Sequence, residues 1–505
     1  MKKKIKYQNL SEIATKGTIY NMVSLIILKL GGLIFTVIIA RLLLPELFGV
    51  YALALSIITI ALTFTDLGIT NTSIRYISDS LGKKNKKMGR SYGRFFIKRK
   101  LMLVLIAVVV LLGISKYLSF TIYNNPLLYY PLLFSCLFIL SESFREFFGV
   151  FFVARKDLKP TVFFDLFSQI SKIGFSIIAI LLFTSELKIS GLFLAFFFSS
   201  FLTLLISFLV LIKRDKESLI GKTEKINKSK INNYWKYMVV ATLSLAFFGS
   251  IDTLMLGGFV GTEYLGYYRV SMSLILTIAS LFPLSTLFLP IFTQIYKKRF
   301  IRGFQKTIRY ILIFSIPATV GAIFIAKYLI FIVYGNLYLP AISSFYFLSL
   351  LIITTPLISL YSIILESKEK PKIVSNAVLI SLVVNVVLNY IAIKLFISNP
   401  LEVIAGVGFA TAISRLLLLG ILIFYSKKDL GIQTKGIGLR KPILSILVMG
   451  IFLYTFNSYV DINLFAGIIE VILGIIIYFG VLIWSGGLKK EDWNLIKDLT
   501  KIKKN

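Results

Sequence analysis

A chain of 505 residues that is 57% hydrophobic and 16% charged, with a mean hydropathy of +0.86 and a formal charge of +33, fits few protein classes. Ordinary soluble proteins are about half apolar and about a quarter charged, so this composition excludes nucleic-acid binders and disordered basic chains. The absence of His and a single Cys, Cys136, exclude His-dependent metal sites, triads and proton relays, Cys-rich metal sites and a disulfide framework.

A membrane helix needs about 20 mostly apolar residues, and fourteen such runs follow one another. The basic start to Lys16 leads into the first, 17–40, too long for a signal h-region and without a cleavage site. Lys29 lies near its middle, about 15 Å from either end, a strained distance for snorkelling. It shares a face with Gly32, Thr36 and Ala40, and is expected to face a cavity. Arg41 ends this span at the surface. The second run is 49–69, with Asp66 at its inner end, and the third is 101–122. The fourth, 127–153, carries Glu142, Arg145 and Glu146, of which Glu142 and Arg145 are spaced to pair along the helix.

On the fifth run, 161–183, Asp165, Gln169, Lys172 and Ser176 form a polar stripe that should point into the protein. The sixth is 189–212. Asp252 sits in the seventh, 234–259, without a local partner, as a residue for cross-lobe pairing, cation binding or gating. Arg269 lies just inside the outer end of the eighth, 266–291. Runs 310–333, 341–365 and 373–396 follow, then 404–425 with Arg415 at its centre, and finally 442–458 and 464–485. Glu470 in the last is an alternative partner for Arg415. None of the runs alternates as barrel strands do, so the expected fold is all-α integral membrane.

Charge orients the chain. With the N-terminus inside, 45 of the 56 Lys and Arg fall in the tail to Lys16 and in 70–100, 154–160, 213–233, 292–309, 366–372, 426–441 and 486–505. The outer connections hold only Arg41 and Lys188, beside Glu46, Glu186, Glu263, Glu402 and Asp461. By the positive-inside rule both termini are cytoplasmic. The basic loop 82–94 suits anionic lipid headgroups. The outer connections are too short for the large loop of a sugar polymerase or ligase, so no catalytic residue, cofactor or metal ligand is assigned.

An internal repeat runs through the chain. PELFGVYALALS (45–56) aligns without gaps on TEYLGYYRVSMS (262–273), pairing Glu46 with Glu263, Gly49 with Gly266, Tyr51 with Tyr268 and Ser56 with Ser273. A second match links ARKDLKP (154–160) with SKEKP (367–371). Six helices per repeat bring both halves into the membrane in the same direction. The expected architecture is two parallel six-helix lobes around a central cavity, 1–215 and 216–441, followed by two helices and a tail, 442–505.

The stretches ARLLLPELFGVYALALSIITIALTFTDLGI (40–69) and IDTLMLGGFVGTEYLGYYRVS (251–271) resemble signatures of the polysaccharide flippases of the multidrug/oligosaccharidyl-lipid/polysaccharide exporter superfamily. That resemblance implies alternating-access export of a polyprenyl-(pyro)phosphate-linked oligosaccharide across the cytoplasmic membrane. It implies membrane lipids and polysaccharide-assembly proteins as partners, and no nucleic acid. A phosphate headgroup needs cationic partners in a low-dielectric cavity, and Lys29, Lys172, Arg269 and Arg415 are the candidates. Asp252, Glu142, Arg145 and Arg41 are candidates for gating or ion coupling. Two relatives with the same topology remain as alternatives. One is a cation-coupled multidrug exporter, disfavoured because the first span carries Lys29 and no acid. The other is a lipid II-type peptidoglycan precursor flippase.

Overall fold

The computed structural model describes residues 2–219, 221–281, 297–368, 370–431, 440–460 and 463–487. Among these every regular element is helical. The first six-helix set comprises α1 (Lys2–Asp66), the short α2 (Ile69–Gly82), α3 (Lys86–Tyr117), α4 (Tyr129–Ala154), α5 (Lys159–Leu182) and α6 (Lys188–Leu219). The second half carries eight described helices, α7 (Lys228–Gly257), α8 (Thr262–Ser280), α9 (Lys297–Phe324), α10 (Ala326–Tyr334), α11 (Ile342–Leu348), α12 (Leu351–Ser367), α13 (Pro371–Phe396) and α14 (Pro400–Leu430). A final pair, α15 (Arg440–Tyr459) and α16 (Leu464–Trp484), packs beside α9 and α10.

Among the described residues eleven helices are long and apolar enough to cross a membrane, or twelve if the pair bent by 47° at Leu348–Leu351 is one span. The sequence predicts fourteen. Part of the difference lies in α1, where the first two expected spans share one helix broken only at Leu44 (φ 63°). The break precedes Pro45, whose ring disfavours helical geometry in the residue before it. The far end of the eighth expected span, 282–291, lies outside the described residues, as do 432–439 and the tail from 488.

The basic segment 70–100 is helical apart from the short connection 83–85 between α2 and α3. Asp66 caps α2 by accepting from the Gly68 and Thr70 amides at 3.1 Å each, which satisfies amides the helix itself leaves free. Its charge is matched by the fully buried Lys100, 3.1 Å away.

Close packing, not transfer from water, holds helices together in a bilayer. One buried cluster joins both sets, running from Phe35, Phe48 and Tyr51 through Leu256 and Tyr268 to Tyr338 and Phe345. It lies at the end carrying the turns at 44–45 and 258–261. At the opposite end each set has its own cluster, built around Phe96, Phe147 and Phe164 in the first and Phe304, Leu360 and Leu418 in the second. The start of α7 joins the first of these, and Trp235 donates to the Leu67 carbonyl at 2.8 Å.

The two sets meet in a seam built from the repeat. A Cβ on Gly49 would lie 1.6 Å from the Thr262 carbonyl oxygen, and one on Gly266 would lie 2.3 Å from that of Pro45. Pro45 and Thr262 are the same position of the repeat, as are Gly49 and Gly266. Each copy thus lays its glycine on the other's turn, the reciprocal contact that two-fold symmetry requires. Beside the seam, Tyr338 donates to the Ala40 carbonyl at 2.7 Å. The connection between the sets is fixed to α3, where Asn85 donates to Glu224 at 2.9 Å and Arg90 to the Lys222 carbonyl at 3.0 Å.

Candidate substrate pathway

Away from the seam, the first lobe contains an ionic network. Arg145 makes a fork on Glu142, with Nε to Oε2 at 2.8 Å and Nη2 to Oε1 at 2.5 Å. The i, i+3 spacing on α4 makes this local pairing possible, as the sequence predicts. Arg145 Nη1 also lies 3.8 Å from Asp165 on α5, and Asp165 accepts from Ser24 on α1. Three helices are tied together here. Farther along α5, Gln169 and Ser176 are buried. The Lys172 ammonium lies over the rings of Phe35 at 4.4 Å and Phe196 at 5.3 Å, a cation–π arrangement.

The second lobe centres on Asp252, which is 6% exposed. Its partners come from other helices rather than from its own. Its Oδ2 accepts from Tyr268 at 2.7 Å and Thr411 at 2.8 Å, and its Oδ1 from Asn389 at 2.8 Å. All three partners belong to the same lobe, on α8, α13 and α14. The side-chain oxygens of Asn385 and Asn389 are buried without a hydrogen-bond partner. Neutral donors on the carboxylate, with two amide oxygens left over, form an oxygen-rich set of the kind that hard cations prefer. Among the described residues no group of three or more Asp, Glu or Cys could hold a metal.

Arg415, one turn beyond Thr411, stacks over Phe248 at 4.0 Å and feels the Asp252 charge. Glu470 is not its partner. That carboxylate is fully buried beside α15, with Oε1 accepting from Asn457 at 2.9 Å. Arg269 is half-buried within electrostatic reach of Tyr51 in the first lobe and Tyr334 in the second. Lys29 is exposed on α1. Arg41 donates through Nε and Nη2 to the carbonyls of Val333 at 2.9 Å and Ile332 at 2.5 Å, closing the C-terminal end of α10. It therefore joins the lobes at the seam end. Tyr268, Asn385, Asn389 and Thr411 are absent from the sequence-derived site. The i, i+4 amides of the eleventh apolar run were the signal available for two of them.

These features define a multi-pass, all-helical membrane protein with two fused helical lobes. A sequence model described as polysaccharide biosynthesis protein matches residues 14–296, more than half of the chain, and the chain belongs to that family. Among solved structures, the chain is similar to the lipid II flippase MurJ in an inward closed conformation, with 17% identity and a TM-score of 0.67 over 92% of this chain and 98% of that one. It is also similar to a multidrug resistance MATE family transporter of the MOP superfamily, inward-facing, with 14% identity and a TM-score of 0.58 over 82% and 94%. An outward-facing structure of a MATE family transporter matches at 14% identity and a TM-score of 0.61 over 83% and 95%. At these identities the likeness is one of fold. No curated protein sequence matches the chain.

Proposed function

We propose that this protein moves a polyprenyl-(pyro)phosphate-linked oligosaccharide from the inner to the outer leaflet of the cytoplasmic membrane by alternating access, for cell-surface polysaccharide synthesis. The observation that carries the reading is the asymmetry of packing. Among the described residues the lobes share one apolar cluster and a glycine seam at one end, and at the other keep two clusters, with the start of α7 packed on the first lobe's. With both termini cytoplasmic, the parted end faces inward and the seam faces out.

In this reading Lys29, Lys172, Arg269 and Arg415 supply counter-charge to the headgroup phosphates as the lobes rock. Arg41 holds the outer gate, and the Glu142–Arg145 pair takes part in inner gating. Asp252, with the unpartnered oxygens of Asn385 and Asn389, binds the coupling cation. The test is reconstitution of the full chain in liposomes with a short-chain prenyl-pyrophosphate glycan, following the loss of accessible headgroup. Transport that rises with an inward Na⁺ or H⁺ gradient, and loses that dependence in Asp252→Asn, is expected. A chain that leaves the glycan in place but exports cationic dyes would give the multidrug-exporter reading instead.

A further inference from the structure

A cavity of ≈ 580 Å³ lies at the end away from the seam, lined by α1, α2, α4, α5 and α6 of the first lobe and by Thr242 of α7 from the second. That volume lies within the ~300–1,000 Å³ of small-molecule sites. Its chemistry is one-sided. The hydroxyls of Thr59, Thr63, Thr161 and Ser207 on its wall each give their proton to a carbonyl of their own helix, at 2.7, 2.8, 2.7 and 2.9 Å. Each therefore offers only oxygen lone pairs to a ligand. Thr70 spends its proton on Asp66 at 2.5 Å.

The cations near the wall are likewise engaged, Arg145 by Glu142 and Lys100 by Asp66. Asp66, Glu146 and Asp165 add carboxylates to the lining. Among the described residues no hydrogen bond or ion pair engages Glu146, which is exposed to the cavity. Asn71 and Thr242 also line the cavity and can donate, but acceptors outnumber donors on this wall. Phosphate and carboxylate ligands only accept, and would leave acceptor facing acceptor, which is costly away from bulk water. A polyol, or a polyol bearing an ammonium group, brings donors to match the acceptors that dominate the wall.

We propose that this cavity holds the sugars of the cargo closest to its lipid linkage, and that it selects neutral or amino-bearing sugars over acidic ones. This rests on the flippase reading above, and assigns the glycan and the phosphate to different parts of the molecule.

Two measurements on the full-length protein test it. In the first, reconstituted protein is given three short-chain prenyl-pyrophosphate glycans that differ only in the first sugar, an N-acetylhexosamine, a hexosamine or a hexuronic acid. The hexuronic acid cargo should move at least about tenfold more slowly than the other two. Glu146→Lys should narrow or reverse that ratio, with Glu146→Gln as the milder variant should the lysine fail to fold. Equal rates for all three, or a ratio unmoved by both variants, overturn the assignment and leave the flippase reading intact.

In the second, Thr63→Cys is placed in a Cys136→Ala background, which removes the sole native thiol, and its maleimide labelling is followed with free sugars present. Glucosamine should slow labelling, whereas glucuronate and tetraphenylphosphonium, a cation without hydrogen-bond donors, should not. Protection by tetraphenylphosphonium equal to that by glucosamine would mean that the cavity reads charge alone, and would sink the sugar assignment. If no glycan moves in the first measurement, the flippase reading falls, while this labelling result still decides what the cavity accepts.

Discussion

The side chain with the most at stake is Arg145. It sits inside the first lobe with its fork spent on Glu142 and its remaining nitrogen turned to Asp165. An ionisable group in a membrane span costs about 2.5–3.5 kcal/mol unless it is partnered or faces a cavity. Removing one member of a buried pair strands the other, typically at about 3–5 kcal/mol. Arg145→Met should therefore destabilise the protein by that order in thermal unfolding. The double variant Arg145→Met, Glu142→Gln should recover most of the loss. If the double variant were as unstable as the single, the network would depend on Asp165 rather than Glu142. Asp252 is the opposite kind of residue, a carboxylate with hydroxyl and amide donors instead of an ion-pair partner. Sequence alone marks both as expensive. Their difference becomes visible only when α8, α13 and α14 are brought together, because those donors lie between 16 and 159 residues away from Asp252.

Among the elements, the glycine seam joining α1 to α8 has the least room to spare. Alanine at Gly49 or Gly266 has no space, because the obstruction is backbone rather than a movable side chain. Overpacking of this kind costs about 1–3 kcal/mol. Gly49→Ala and Gly266→Ala should lower the melting temperature by similar amounts. The pair together should cost less than their sum, since both open the same contact. Gly113→Ala and Gly174→Ala, where a Cβ meets nothing within 4 Å, are the controls and should leave it unchanged. Equal effects at all four sites would refute the seam.

The repeat that places these glycines was legible in the sequence because the two turns align without gaps. So was the helical class, because apolar runs of membrane length have no other solution. The break at Leu44 and the helices inside 70–100 were not. Both depend on where charge and proline meet the membrane surface, and hydropathy averages over such local detail. The cationic candidates stood out as isolated charges, but each one's neighbours come from distant helices, so the stacking of Lys172 on Phe35 and Phe196 had no sequence signature.

At the scale of the whole molecule, the two lobes are held at the seam end by few polar contacts. Among the described residues Arg41 supplies a charged one, spanning from α1 to the carbonyls that end α10. A charged donor contributes about 1.5–3 kcal/mol, and for this exposed group the low end applies. Arg41→Ala should then shift the balance of conformations roughly tenfold towards opening at that end. The measurement is labelling of Leu47→Cys in a Cys136→Ala background, which should quicken when Arg41 is replaced. Unchanged labelling would mean that the apolar cluster and the seam hold the gate without it.

The reciprocal fit of Gly49 and Gly266 has a further consequence. A surface that recognises a copy of itself is what a homodimer has, and the seam is such a surface carried within one polypeptide. Two free halves would meet only as often as their concentration allowed. Joined through the connection fixed to α3, they face each other at the effective concentration of a short tether. The seam can therefore be weak enough to part on every cycle and still re-form, because opening it never lets the halves diffuse away.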